Sequence, residues 1–287
     1  MADPDRSISG GGILYVVATP IGNLSDITLR ALEVLRSVPL VCAEDTRLTR
    51  RLWARYEITT RLVSYHSQSG PARERELLEH LAAGRDLALV TDAGTPLVSD
   101  PGGELVSAWI ERGGRVVPIP GASAVLAALV ASGLPAARWT FEGFLPRRGR
   151  ERRELIERIA SSERTSILFE APGRAAATLR DLAKACGTGR PAALARELTK
   201  IHEEIWRGSL GDLAARAADN DPRGEVVIVV RGREPRERGS DEPRVGLAEG
   251  RSEVERLVAQ GQTRSSAAKE VAQRTGLARR DLFRDAE

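Results

Sequence analysis

Short apolar strands alternate with helices through the first 132 residues, and this alternation constrains the fold more than any other feature of the chain. Ile13 to Ala18 reads as a strand, and Asp26 is placed to cap a helix through Arg36. Leu40 to Ala43, Leu62 to Tyr65, Leu87 to Thr91 and Arg115 to Ile119 read as further strands. Thr46 to Tyr56, Ala72 to Ala83, Gly102 to Arg112 and Ser123 to Ser132 read as helices between and after them. Strand and helix in strict turn predict a mostly parallel sheet covered by helices.

Three of the strands run into loops of small, turn-forming residues. Leu87-Ala-Leu-Val90 stops in Thr91-Asp-Ala-Gly-Thr-Pro-Leu-Val-Ser-Asp-Pro-Gly-Gly103, where glycines permit close backbone approach and Pro96 and Pro101 forbid a helix. Thr19-Pro-Ile-Gly-Asn-Leu24 follows the first strand, and Pro120-Gly-Ala-Ser-Ala124 heads an apolar helix. In an open α/β sheet, ligands collect outside the carboxyl ends of the strands, where such loops converge. Commoner nucleotide motifs are absent: no Gly-rich loop ends in Gly-Lys-Ser/Thr, which disfavours phosphoryl transfer from a nucleoside triphosphate. Gly187-Thr-Gly-Arg-Pro-Ala192 matches a dinucleotide fingerprint in letters only, since it precedes a strand and reads as a turn.

The chain of 287 residues is long enough for about two domains. Cys42 and Cys186 are isolated in sequence, which argues against disulfides and zinc modules and predicts free thiols in a reducing compartment. His66, His80 and His202 form no ligand-spaced pair, so no metal is expected. Val116 to Ala137 carries no charge, yet its prolines and glycines break it into strand, loop and short helix rather than a membrane span. The polar start, without an apolar signal core, predicts a cytoplasmic protein. Of the 43 basic residues 40 are arginine, the side chain suited to bidentate phosphate contacts and base stacking. Seven arginines stand against four glutamates from Arg147 to Arg164, and five basic residues against Glu270 alone from Arg264 to Arg280.

The expected organisation is a flexible start over 1–12, an α/β domain over 13–136, a second over 137–231, a linker over 232–250 and a helical tail over 251–287. Trp139 to Phe144, Thr165 to Glu170, Ala192 to Glu197, Glu203 to Arg207 and Glu225 to Arg231 are the second domain's strands. Glu151 to Ile159, Arg174 to Ala185 and Leu210 to Ala217 are its helices. Gly232 to Gly250 is rich in Gly, Pro, Arg and Glu, as linkers are. Helices at Glu253 to Ala259, Ser265 to Gln273 and Arg279 to Ala286, with a break at Gly276, fit a helix-turn-helix or a protein-docking bundle. The local basic excess favours nucleic acid.

Several segments together carry a family likeness: Val17-Ala-Thr-Pro-Ile-Gly-Asn-Leu24, Ala43-Glu-Asp-Thr-Arg47, Ser64-Tyr-His66, the Asp92 to Gly103 loop and Pro118-Ile-Pro-Gly-Ala-Ser-Ala124. Phe141-Glu-Gly-Phe-Leu-Pro146, Phe169-Glu-Ala-Pro172, Arg196-Glu-Leu-Thr-Lys200 and His202-Glu-Glu204 extend it. In order and spacing these resemble the tetrapyrrole methylase superfamily, and within it the bacterial enzymes that methylate cytidine 2'-oxygens of small-subunit (16S) ribosomal RNA. The tail is similar to the helix-turn-helix appended to that group. Gly173 departs from it, a larger residue being usual after the proline.

The resemblance implies an α/β, two-domain tetrapyrrole-methylase-like (class III methyltransferase) fold, S-adenosyl-L-methionine between the domains, and a homodimer. It places Pro20, Gly22, Asp92, Ala93, Gly94, Thr95, Ser99, Asp100, Pro101, Gly121, Ala122, Ser123 and Ala124 on the cofactor from the first domain. Phe169, Glu170, Ala171 and Leu198 would enclose it from the second. Glu170, Glu197, Lys200 or His202 would accept the ribose proton or orient the ribose, the alternative role for each being a structural charge pair. Asp45, Arg47, the arginines from Arg147 and Arg148 to Arg153, and Arg279 and Arg280 of the tail are expected RNA contacts. His66, Tyr65 or Phe144 would stack on an extruded base, core packing being the other role for Phe144. Two other functions are open to such a chain: carbon methylation of a tetrapyrrole, and silent RNA binding in ribosome assembly. The Ala43 to Arg47 segment and the basic tail favour RNA over a tetrapyrrole.

Overall fold

The computed structural model describes residues 10–220, 222–234, 246–275 and 277–283. Five parallel strands form the first sheet: β1 (Ile13–Val17), β2 (Leu40–Ala43), β3 (Arg61–Ser64), β4 (Leu87–Val90) and β5 (Arg115–Ile119), in the order β3-β2-β4-β1-β5. β2 and β4, with every residue buried, take the inner positions that continuous apolar runs require. Helices α1 (Leu29–Ser37), α2 (Thr46–Tyr56), α3 (Pro71–Ala82) and α4 (Gly103–Glu111) connect the strands, and α5 (Ala124–Ser132) follows β5. One apolar cluster under α1 and α2 and another under α3 and α4 fill the two faces of the sheet.

Asp26 does not cap α1. Leu24–Asp26 is a short 3-10 turn capped by Asn23, and Thr28, in extended conformation, takes the Ala31 amide on its hydroxyl to start the helix. Residues 1–9 of the expected flexible start lie outside the described residues, whereas Gly12 is held by a hydrogen bond from its amide to the Leu81 carbonyl.

The second sheet contains β6 (Trp139–Phe144), β7 (Thr165–Glu170), β8 (Pro191–Arg196), β9 (Glu204–Ser209) and β10 (Val226–Val230) in the order β6-β7-β10-β8-β9. β6 and β7 are parallel, and the other pairings are antiparallel. Helices α6 (Arg150–Ser161), α7 (Ala175–Cys186) and α8 (Leu210–Asp219) pack on one face of this sheet, and α5 covers the other. Ile21, after β1, joins Val125 and Leu129 of α5 and Val227 and Val229 of β10 in one apolar cluster. That cluster binds the two sheets into a single contact unit ending at Arg233. Gly187 to Arg190 forms the turn between α7 and β8.

A second unit, from Glu234 on, contains α9 (Leu247–Ala259), α10 (Arg264–Thr275) and α11 (Arg279–Phe283). Its own core is Val254, Leu257, Ala267, Ala268, Val271, Leu277 and Leu282. The expected linker is shorter than 232–250 because α9 starts at Leu247; residues 235–245 lie outside the described residues. Gly250, expected as a linker end, is a buried helical position lying so close under Leu277 that a Cβ would come within 2.4 Å of its Cδ1. The expected break at Gly276 and the last residues of the final helix, 284–287, also lie outside the described residues.

Candidate functional site

The carboxyl ends of β1, β2, β4 and β5 are laced together by their loops. Thr19 and Gly94 exchange two backbone hydrogen bonds, at 2.8 and 3.1 Å, and the Thr19 hydroxyl donates to the Thr91 carbonyl. The Asp45 amide donates to Asp92 at 2.8 Å, and the Thr91 hydroxyl to Glu44 at 2.9 Å. Thr95 reaches the Ala122 carbonyl of the third loop. Between these ties, Leu97 (φ 76°) and Ser99 (φ 70°) hold left-handed conformations, which for residues with a Cβ mark a strained, over-determined loop. Gly102 at φ 120° supplies the close approach: a Cβ there would meet Leu89 Cδ2 at 2.6 Å.

Against these loops lies a cavity of about 350 Å³, within the range of about 300–1,000 Å³ typical of small-molecule sites. Ten of the expected cofactor residues line it: Ala93, Gly94, Thr95, Ser99 and Asp100 from the β4 loop, Ser123 and Ala124 at the head of α5, and Phe169, Glu170 and Ala171 after β7. Pro20, Gly22, Asp92, Pro101, Gly121, Ala122 and Leu198 do not line it but support its wall. Asp92 takes the Asp45 amide, Ala122 takes the Thr95 hydroxyl, and Leu198 packs into the apolar cluster joining the sheets. Gly121 faces Ala18, and a Cβ at Gly22 would strike Lys200, Thr199 and the Leu198 carbonyl. Pro20 and Pro101 flank lining residues.

The cavity is also lined by residues not expected from sequence: Ile21, Val98, Val125, Pro172, Glu225, Val226 and Val227. Val226 and Val227 read as ordinary residues of a buried strand; the placement of β10 between β7 and β8 brings its start to the site, with Val227 packing on the α5 side and Val226 on the side of α6, α7 and α8. Phe144, expected either in the core or on the RNA, also lines the cavity, is half-exposed, and lies 5.5 Å from the Phe169 ring. It is therefore not a core residue.

Asp100 is the half-buried carboxylate of the wall. Burial pushes its pKa up to about 6; the carboxylates of Glu44 and Asp92 add to the rise, and the Thr91 hydroxyl opposes it. Burial also raises Asp92, against the pull of the Asp45 amide. Glu170, almost wholly buried, has its oxygens engaged by the Thr178 hydroxyl, the Ala171 amide and the Arg174 guanidinium at 3.1 Å. Glu197, at φ 50°, takes Lys200 Nζ at 2.9 Å and the Glu225 amide at 3.0 Å; Lys200 also reaches the Glu225 carboxylate at 3.0 Å. Partial burial works against the Lys200 charge, but these two carboxylates outweigh it and raise its pKa. His202 stands exposed beside Ile201, itself 97% exposed, at the tip of the β8–β9 turn.

Asp45 caps α2 and pairs with the exposed Arg47 at 2.6 Å; the hydrogen bonds of Arg47 hold its carboxyl down at about 2. Tyr65 is not available to a base: it is buried with Leu77, Leu81 and Trp109, and that burial pushes its phenol up to about 12. His66 is exposed, its Nδ1 accepting the Gln68 amide. Arg147 and Arg148 are exposed between β6 and α6. In the second unit Arg279 donates to Ser265, Arg280 lies 3.6 Å from Asp281, and Arg256 and Arg274 are held by Glu253. Much of that basic excess is thus engaged internally.

Residues 13–214 match the family of Tetrapyrrole (Corrin/Porphyrin) Methylases. The chain belongs to this family. It is a methyltransferase that uses S-adenosylmethionine. It is 49% identical to the ribosomal RNA small subunit methyltransferase I of Synechocystis, covering 95% of this chain and 96% of that one. The protein of the same name in Bacillus subtilis is 40% identical, over 95% of this chain and 93% of its own. Among solved structures, a uroporphyrin-III C-methyl transferase from Thermus thermophilus complexed with S-adenyl homocysteine shares the fold at a TM-score of 0.54 and 22% identity, covering 76% of this chain and 97% of that one. The class III fold and the two joined sheets of this chain agree with the expectation from its motifs.

Proposed function

We propose that this methyltransferase transfers the methyl group of S-adenosylmethionine to the 2'-oxygen of a cytidine ribose in 16S ribosomal RNA, acting in the cytoplasm as a homodimer. The observation that carries this reading is the likeness, over 95% of the chain, to proteins named for small-subunit ribosomal RNA methylation. Bound S-adenosylmethionine supplies an already activated methyl group on a positively charged sulfur. What the protein must add is position, an effect worth about 7–11 kcal/mol when the reacting atoms are held in line.

The residues present fit that cofactor. Small side chains and strained backbone on the β4 loop leave room for close approach, Phe169 and Phe144 offer an aromatic wall to an adenine, and Asp100 offers a carboxylate to a cationic ligand. A ribose hydroxyl is a poor nucleophile until its proton leaves, so an acceptor at the wall raises the rate. Glu225 lines the cavity and shares Lys200 with Glu197; we assign this group to orienting the ribose and accepting its proton. His202, exposed at the turn's tip, is assigned to the RNA. Glu170, with its oxygens already taken, is assigned to shaping the β7–α7 loop. Arg147, Arg148 and Arg47 are the proposed phosphate contacts of the first unit, His66 the stacking partner, and Arg279 and Arg280 the contacts of the second.

Labelled methyl transfer to small subunits from a strain lacking this protein, followed by nuclease mapping, tests the reading. Label on one cytidine ribose is the expected result. Label on neither particles nor free RNA, with the cofactor bound, would overturn it in favour of a tetrapyrrole substrate or a silent assembly factor.

A further inference from the structure

Away from the cavity, a broad groove of about 850 Å³ runs between α6 and α7 on the helical face of the second sheet. Arg153 lies near the head of α6, while Lys184 and Arg233 lie near the foot, where the Arg233 amide bonds to the Ser162 carbonyl just past the helix end. All three side chains are exposed and make no ion pair with a described residue. The groove's two carboxylates are unequal. Asp181 is neutralised by Arg152 at 2.7 Å, which leaves Glu157 alone against three unpaired cations.

Arg152 does more than neutralise. It donates to the Pro146 carbonyl and the Thr178 hydroxyl as well, so it fixes the β6–α6 loop onto α7 and makes the groove's wall rigid. That same loop starts at Phe144 on the cavity and carries the exposed Arg147 and Arg148 to the groove's head. An α-helix of 12 residues extends the path by about 18 Å. Cations spaced along such a length, continuous with the mouth of the site, suit a linear polyanion better than a single small anion.

We propose that the α6–α7 groove is an exosite for the sugar-phosphate backbone of the substrate RNA, with Arg153, Lys184 and Arg233 as its phosphate contacts. This deepens the reading of the site as an RNA methyltransferase and rests on it. The test is the full chain with Arg153→Glu, Lys184→Glu and Arg233→Glu together, assayed for binding to free small-subunit RNA and to small subunits across a salt series. Affinity for the cofactor and kcat at saturating particle are measured alongside. RNA affinity is expected to fall at least tenfold, with the slope of log affinity against log salt shallower by about 2, since each single-strand phosphate contact contributes about 0.7. Cofactor affinity and kcat are expected to stay unchanged, which also reports an intact fold. The alanine triple, which removes charge without adding repulsion, should lose less affinity in the same direction.

Unchanged RNA affinity and salt slope in the glutamate triple would overturn the exosite while methyl transfer by the parent still stood. A loss confined to particles, with free RNA bound as before, would also overturn it, because the groove would then be holding a protein of the particle. Reduced RNA binding by the triple, with no methyl transfer by the parent, would keep the exosite and remove the methylation reading instead.

Discussion

If Asp100 holds the cationic cofactor, as proposed, stability and function pull in opposite directions at this residue. Its pKa rises from about 3.8 unfolded to about 6 in the fold, so the native state binds the extra proton between those values. Folding stability therefore declines as pH climbs through that window, and the full penalty is present above about 6. Asp100→Asn removes the penalty; by calorimetry its Tm is expected to rise by roughly 2 °C or more at pH 7.5 and to match the parent near pH 4. Function should move the other way. Cofactor affinity of the parent should grow as pH rises through about 6, because a cationic ligand needs the ionised carboxylate, and titration calorimetry of Asp100→Asn should show that rise lost. Two residues along, Gly102→Ala would drive a Cβ onto Leu89 at a φ of 120°, and a loss of about 1–3 kcal/mol in denaturant unfolding is expected. The tightness of this loop is legible in sequence, since an Asp-Pro-Gly-Gly run after an apolar strand calls for close backbone approach. Glu225 is not, because its place at the cavity depends on which strands β10 joins.

Among the elements, the turn from Glu197 to Glu203 carries the sharpest expectation. Glu197 and Thr199 both hold positive φ, and Lys200 clamps Glu197 to Glu225 on the cavity wall. If that clamp orients the ribose, Lys200→Ala and Glu197→Ala should each lower kcat at least tenfold while leaving cofactor affinity within about twofold. A purely structural pair would instead lower Tm and leave kcat in place; retention of full transfer with unchanged substrate affinity in both variants would sink the assignment. The first sheet was readable element by element, because buried parallel strands are continuous apolar runs and their helices repeat in turn. Its one error, the cap of α1, arose from two capping residues close together: Asn23 takes the short turn and Thr28 the helix, leaving Asp26 between them. The order β6-β7-β10-β8-β9 could not be read the same way, since β7, β8 and β10 are all continuous buried runs that suit any inner position of a covered sheet. Likewise Gly250 looks like a linker residue by composition and is a packing contact by geometry.

For the molecule as a whole, α5 is the element whose sequence exceeds what the single chain uses. From Ala124 to Ser132 it carries no charged residue, so it has no polar face to turn to water. One side is accounted for: Val125, Ala128 and Leu129 pack with Val227 and Val229 in the cluster that joins the sheets. The other leaves Leu126 50% and Val130 75% exposed. Full burial of such side chains is worth about 1.5–3 kcal/mol each, and a two-fold axis brings each of them into the interface twice. The proposed homodimer thus has a place to form that conserves the cavity's internal wall, because Val125 faces the cavity and Leu126 and Val130 face outward. Leu126→Arg with Val130→Arg would set four guanidinium groups against one another across that axis. Sedimentation equilibrium should give the parent twice the mass of the variant at micromolar concentration, with cofactor affinity unchanged in the variant because its cavity wall is intact. A parent that sediments as a monomer, or a variant that remains dimeric, would remove α5 from the interface.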